Sequence, residues 1–578
     1  MVDAPEAWSI SSSDPWQHAV DRIATGQQLR GLPTIMGTRR FALRTVARLT
    51  QPDREKPTMA APRKVLFISA DQWRAECLSA AGHPVVKTPH LDALAADGVL
   101  FRRHFSVTAP CGPSRSSMQT GLYLMNHRSG RNGTPLDARH TNIAHEVRKA
   151  GIDPVLFGYT DTSADPRGRH PQDPALRTFE GPMPGYHIGL LFPDYMAAWM
   201  NDLRAKGYRF EGRHDVYQPR PGFDKPADRG HRFIPTLFKA EDSDTHFMAD
   251  QVITWLADHR QQDWLLHCVF LRPHPPVIAP EPYNALYDPA DVELPRRKAS
   301  AAEEARQHPH LAQWIEAFGR PNHYDEHNPN HLVDMPELEL RQMRACYYGM
   351  MNEVDDAVGR IVAHLKASGE YDDTLILFTC DHGEMGGDHY TWGKELYFDP
   401  SFHIPLIVRD PGKAADAGRG RQVDAFTESV DLMPTMLDWL GLETPTQCDG
   451  RSLLPFLCGE QPARWRTEAH MELDFRSGPY SGLDAEAALA LSPDECQLAI
   501  VRGERWKYVF FAALPALLFD LQNDPAEMHD LAQDPAHRDV LLEMAHKMLS
   551  WRLVHQEHVL TNLHNGPHGV EDRSRVMR

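Results

Sequence analysis

Lys64-Val-Leu-Phe-Ile-Ser-Ala70 is an apolar run of strand length, and Asp71-Gln72-Trp73-Arg74 follows it with no linker. Such a run, ended at once by a carboxylate, reads as a buried strand that delivers a polar group to its end. The pattern recurs down the chain. Pro154–Phe157 leads into Gly158-Tyr159-Thr160-Asp161, Trp264–Leu271 into Arg272-Pro273-His274, and Leu375–Thr379 into Cys380-Asp381-His382; Ile404–Val408 comes next. Helical spacing separates these runs. It is clearest in Glu337–Ser368, where Met343, Tyr347, Met350, Val354, Val358, Ile361 and Leu365 fall on one face.

The alternation predicts an α/β fold with a large, mostly parallel central sheet flanked by helices. Ligands in such sheets bind beyond the carboxyl ends of the strands, so Asp71, Gln72, Tyr159, His274, Asp381 and His382 are expected to converge. Each has a plainer reading by itself, since an Asp after a strand often caps a helix and a His among prolines often stiffens a loop. Their repetition at successive strand ends favours a site. Asp71, Gln72, Asp381 and His382 together offer hard oxygen donors and one imidazole. That mixture suits Mn²⁺, Mg²⁺ or Ca²⁺ rather than a thiolate zinc site.

A second stretch, Thr108-Ala-Pro-Cys111-Gly-Pro-Ser114-Arg115-Ser-Ser-Met118, reads as a tight turn opening a helix over Ser114–Leu124, with Pro113 at its first position. Cys111 then lies at a helix N-terminus, where amide donors favour an anion, and Arg115 adds a fixed positive charge. The plain alternative is a small buried hydrophobe.

The chain of 578 residues, 42% hydrophobic and 24% charged, is long enough for one large domain and a smaller one. A net charge of −18 argues against nucleic acid as the partner while leaving room for a small anionic ester in a locally positive site. Eight scattered cysteines show no disulfide framework, which fits a cytoplasmic protein, and no apolar run reaches membrane-spanning length.

Cys111-Gly-Pro-Ser-Arg115 resembles the site at which sulfatases, members of the alkaline phosphatase superfamily, convert cysteine to formylglycine. Asp381-His-Gly-Glu-Met-Gly-Gly-Asp388-His389, Trp392-Gly-Lys394, Ser401–Val408, Glu428–Asp438, and Leu518-Phe-Asp520 with Asn523–Glu527 are similar to further sulfatase blocks in order and spacing. The likeness covers roughly residues 61–530. Gln72 and His382, with Asp71-Gln-Trp-Arg74 and Gly121–Arg128, resemble most the phosphonate monoester hydrolase branch, whose members also cleave phosphate diesters. The calcium arylsulfatases carry an Asp and an Asn in the places of Gln72 and His382.

The resemblance implies a metal-dependent formylglycine hydrolase of phosphonate monoesters and phosphate diesters, promiscuous toward sulfate esters. Asp71, Gln72, Asp381, His382 and modified Cys111 would hold one divalent ion. Arg115, His274 and Lys394 would be catalytic, and Asn132, Tyr159 and Asp161 would line the substrate pocket. Asp161 stands where the branch can carry Thr, and a carboxylate facing an anionic substrate is expected to turn away or to change the preferred substrate. A formylglycine-generating enzyme is the implied maturation partner and a homo-oligomer the implied assembly. The alternatives are a sulfatase acting on aryl, alkyl or choline-type esters, and a silent anion-binding relative.

Residues 1–60 read as a disordered extension or a start placed too early, with Met59 a natural beginning. Thr38–Leu43 faintly resembles a twin-arginine export signal, but Arg44 and Arg48 interrupt the apolar stretch such a signal needs. Residues 61–460 are expected to form the catalytic α/β domain. Residues 461–578 read as an antiparallel α+β subdomain and tail, with strands at Leu498–Val501 and Trp506–Phe511 and a helix near Val540–Arg552. His308, His310, His323, His327 and His331 suggest a solvated loop or subunit contact.

Overall fold

Eight strands build the central sheet of the computed structural model: β1 Lys64–Ala70, β2 Val99–Phe101, β3 Asp153–Gly158, β4 His187–Leu191, β5 Trp264–Phe270, β6 Thr374–Cys380, β7 Leu406–Arg409 and β8 Arg421–Val423. Their spatial order is β8-β2-β7-β6-β1-β5-β3-β4. Every neighbouring pair runs parallel except the two that involve β7. The structure describes residues 63–192, 196–212, 215–318, 332–478 and 484–572. They belong to one unit, Ala61–Arg578, and the expected extension over residues 1–60 lies outside them.

The central strands β1, β5 and β6 are buried at every residue, as their unbroken apolar composition demands once helices cover both faces. The long helix Glu337–Ser368 has the bounds its periodicity predicts and is closed by Gly369 at φ 76°. The apolar run Ile404–Val408 predicts a strand there; the strand is shifted to Leu406–Arg409 because Pro405 cannot donate to a ladder.

A second sheet joins Ala469–Asp474, Gln497–Arg502, Trp506–Phe511 and Leu517–Asp520 in antiparallel order. Its edge is completed by the short strand Thr108–Ala109, which pairs parallel with Glu472 and Leu473. The segment leading to Cys111 is therefore clamped by the C-terminal sheet. The helix Arg538–His555 packs Met544, Met548 and Trp551 against that sheet, and the exposed hairpin Leu563–Gly566/Gly569–Asp572 follows.

Two local expectations are corrected. The helix after Cys111 runs Cys111–Thr120 rather than to Leu124, with Cys111 as its first residue and Pro113 as its third, and Gly121 ends it in the left-handed region at φ 70°. His308 and His310 are buried, not solvated, with the His308 ring stacked 4.2 Å from Phe511 and the His310 ring 4.5 Å from Phe475. Neighbouring aromatics make the imidazoles part of the core, a context that local polarity does not reveal. His323, His327 and His331 lie outside the described residues.

Candidate active site and metal centre

Register places the first two carboxylates. Strands β1 and β6 pair with Ala70 opposite Cys380, so the residues that follow, Asp71 and Asp381, leave the sheet side by side. Strand β5 pairs with Ala70 opposite Phe270, which brings the His274 loop to the same edge. Gln72 takes φ 70°, an uncommon left-handed conformation for a residue other than glycine, and its backbone N–H donates to Asp381 Oδ1 at 3.1 Å. The Tyr347 hydroxyl, from the long helix, braces the turn by donating to the Gln72 carbonyl at 2.6 Å.

Cys111 enters from the other side at the start of its helix. Its Sγ lies 3.2 Å from His382 Nε2. His382 Nδ1 is 3.1 Å from the Gly383 carbonyl, which can only accept, so the proton resides on Nδ1 and the Nε2 lone pair is free to ligate. Asp71, Cys111, Asp381 and His382 are all buried, and their ligand atoms lie within 4.8 Å of one another. Asp71 Oδ1 is buried without a hydrogen-bond partner among the described residues. An orphaned carboxylate oxygen amid imidazole and carboxylate donors fits a divalent cation, and Gln72 stands next to the group with an amide oxygen.

Arg115, 2% exposed, knits the carboxylates together. Its Nη2 donates to Asp71 Oδ2 at 2.7 Å and its Nε to Asp381 Oδ2 at 3.0 Å. Its Nη1 faces the Tyr159 carbonyl at 3.3 Å and Asp161 Oδ2 at 3.2 Å. The guanidinium also lies over the Tyr159 ring, 4.0 Å from its centroid, and the Tyr159 hydroxyl donates to Asp71 Oδ2 at 2.5 Å. The Asp161 carboxylate is thus turned to Arg115, at a left-handed φ of 49°. Burial raises its pKa to about 7, with Arg115 pulling the other way and Asp71 and Asp381 adding to the rise. A cation held by those two carboxylates would cancel their contribution.

Asn132 serves the helix start: its Oδ1 accepts the Gly112 N–H at 2.8 Å. A Cβ at Gly112 would come within 2.8 Å of the Asp161 carbonyl and 3.0 Å of Asn132 Oδ1, so this position needs glycine. Ser114 donates to the Asp381 carbonyl at 2.6 Å, tying the Cys111 helix to the β6 edge. Lys394 Nζ donates to Gln72 Oε1 at 2.7 Å. Burial opposes the Lys394 ammonium, yet Cys111, Asp71, Asp381 and Glu384 around it raise its pKa above the ordinary lysine value.

His274 Nδ1 is 2.8 Å from the Pro275 carbonyl, which leaves Nε2 as the atom that exchanges a proton. Burial lowers its pKa to about 4, Asp71 working in the opposite sense, so it is neutral at pH 7. Arg272, 1% exposed, holds this loop through Nη1 to the carbonyls of Pro276 at 2.9 Å and His274 at 3.3 Å. Burial, with Asp71, pushes the Cys111 thiol well above the ordinary cysteine range. An unmodified Cys111 is therefore a protonated thiol and a poor nucleophile.

The candidate catalytic, substrate-binding and metal residues of the sequence, Asn132 and Lys394 included, lie at or beside this one edge. Sequence reasoning gave no role to Tyr347, Arg272 or Glu384. Tyr347 carries no signal beyond its helical period; Glu384 was visible only as part of Asp381-His-Gly-Glu.

The sulfatase family domain matches residues 63–442, and the C-terminal part of N-sulphoglucosamine sulphohydrolase matches residues 387–553. The chain is 41% identical over 518 residues to the multifunctional alkaline phosphatase superfamily protein PehA of Trinickia caryophylli, covering 89% of this chain and 99% of that one. It is 26% identical to an arylsulfatase of Clostridium perfringens over 82% of this chain and 91% of the other. The crystal structure of the phosphonate monoester hydrolase of Agrobacterium radiobacter superposes with a TM-score of 0.83 at 44% identity, covering 88% of this chain and 99% of that one. Motif, sheet edge and these likenesses agree: the chain is a member of the sulfatase family, with the mixed α/β architecture of alkaline-phosphatase-like enzymes.

Proposed function

We propose that this protein hydrolyses phosphonate monoesters and phosphate diesters, and sulfate esters as secondary substrates. The observation that carries the reading is the packing of Cys111 Sγ against His382 Nε2 at 3.2 Å, inside the donor group completed by Asp71 and Asp381. Gln72 and His382 support the phosphonate and diester preference: with Gln72 in place of a second Asp the donor set of the metal is less negative and better suited to a highly charged transition state.

A divalent ion held by Asp71, Gln72, Asp381, His382 and residue 111 would supply Lewis-acid charge and ease ionisation of a nucleophilic hydroxyl. Formylglycine, made from Cys111 by a maturation enzyme, would supply that hydroxyl as a hydrated aldehyde. The chain's own residues set the stage. Arg115 holds Asp71 and Asp381 in place and answers their charge. Lys394 brings a second cation toward the non-bridging oxygens of the ester. Negative charge on a bound ester acts against the burial that lowers the His274 pKa, and protonated Nε2 would pass its proton to the departing alcohol or phenol.

We further infer that copies of the chain associate through the exposed apolar side chains of the C-terminal helix, the hairpin and the turn between them. Leu549, Leu553, Val554, Leu560 and Val570 are each more than half exposed there. Light scattering on a chain lacking residues 556–578 tests this, since a reduced mass is expected. For the activity, kcat/KM is compared for an aryl phosphonate monoester, phosphate diester and sulfate ester sharing one leaving group. Cys111→Ala is the blank. Faster phosphonate or diester cleavage is expected; a large preference for sulfate would overturn the reading, and full activity of Cys111→Ala would overturn the nucleophile.

A further inference from the structure

Glu384 lies two residues beyond His382 and is 2% exposed. Its Oε1 accepts the backbone N–H groups of Gly386 at 2.7 Å and Gly393 at 2.8 Å. Its Oε2 accepts from Nε2 of the Gln72 amide. At the far end of that amide, Gln72 Oε1 accepts from Lys394 Nζ at 2.7 Å. An ionised carboxylate only accepts and an ammonium only donates, so these partners clamp the amide in one of its two orientations.

We propose that Glu384 is a positioning residue that fixes which end of the Gln72 amide faces the metal and substrate pocket. The clamp turns the NH₂ group inward to Glu384. It leaves the oxygen on the side of Lys394, whose ammonium feels Asp71 and Asp381. That is the end a hard cation requires, and the wrong end would set NH₂ against both the cation and Lys394. The inference rests on the reading of Gln72 as an oxygen donor to the divalent ion.

Glu384→Gln is isosteric yet reverses the clamp. The new side chain must keep its oxygen toward the two glycine N–H groups, so its NH₂ confronts the NH₂ of Gln72. Gln72 then turns over and loses Lys394. Glu384→Asp is shorter but still only accepts. The double variant Glu384→Gln/Gln72→Glu moves the carboxylate across the contact. The carboxylate introduced at position 72 would accept from the new amide and still present an oxygen to Lys394.

Mn²⁺ is titrated into the metal-free protein in competition with a chromophoric chelator, and kcat and KM are measured alongside. Glu384→Gln is expected to weaken Mn²⁺ binding tenfold or more and to lower kcat. Glu384→Asp should lose less, and the double variant should regain most of the affinity lost by Glu384→Gln. A space-filling role gives the opposite order, with Gln tolerated and Asp not. Unchanged Mn²⁺ affinity in Glu384→Gln, or a double variant no better than it, overturns the inference alone. A wild-type protein that binds no Mn²⁺ overturns the metal reading, and this inference with it. Should Glu384→Gln fail to fold by circular dichroism, the double variant decides: folded and Mn²⁺-binding supports the clamp, and unfolded overturns it.

Discussion

Asp161 Oδ2 lies 3.2 Å from Arg115 Nη1, so one of the site's two cations is answered by a third carboxylate in addition to Asp71 and Asp381. The Asp161 carboxylate is paired with Arg115 inside the buried site. Its charge still counts in the field an ester meets. A unit charge about 5 Å away in a protein interior of effective dielectric about 20 is worth about 3 kcal/mol. Asp161→Asn is therefore expected to favour dianionic phosphate monoesters over monoanionic phosphonate monoesters by at least about tenfold in the ratio of kcat/KM values, after allowing for relaxation. Assays of two esters with one leaving group check this, and an unchanged ratio would remove Asp161 from specificity.

Metal binding should stabilise the fold, because Asp71 Oδ1 gains a partner it lacks among the described residues. With Mn²⁺ at about a hundred times its Kd, the folded state gains about 2.7 kcal/mol. Thermal melts with and without chelator are expected to show this as a raised Tm. Asp71→Asn, which keeps the shape but not the charge, should abolish the Mn²⁺-dependent rise.

Acid should destabilise the protein before most carboxylates titrate. Burial lowers the pKa values of His104, His127, His267 and His310 from the ordinary 6.5 to about 3. Between those limits the unfolded chain binds protons that the folded chain refuses, so stability rises with pH across this window and falls as pH drops from about 6.5 toward 3. Each pH unit of the window costs about 1.4 kcal/mol per histidine at most. Urea midpoints at pH 7, 6 and 5 should decline in that order; a flat series would contradict the burial of these rings.

Lys507 is fully buried between Asp399, at 2.8 Å, and Glu527. Glu527, from the C-terminal Asn523–Glu527 motif, also accepts the Asp399 N–H at 2.8 Å. The carbonyls of Pro400 and Ser401 in turn accept from Glu384 and Gly383 at 2.9 Å. Lys507→Ala leaves the buried Glu527 carboxylate without its cation, while Asp399 keeps Arg502 at 3.0 Å, and a loss of about 3–5 kcal/mol is expected in the urea midpoint. Because the chain of contacts ends beside His382, weaker Mn²⁺ binding should accompany the loss.

The sequence by itself determined the layers of this protein. Continuous apolar runs of strand length such as Lys64–Ala70, each ended by polar residues, favour buried strands, and the 3.6-residue period of Glu337–Ser368 favours a long helix. It also determined which chemistry was present, since Asp71, Asp381, His382 and Cys111 stand at strand and helix ends, where side chains reach a common edge. The tertiary structure alone decided how those groups are used. The pairing of Asp161 with Arg115, the Glu384–Gln72–Lys394 clamp and the burial of His308 and His310 join partners far apart in the chain. Such contacts depend on register and on side-chain direction across packed elements, and neither leaves a local pattern in the residues on one side of the contact.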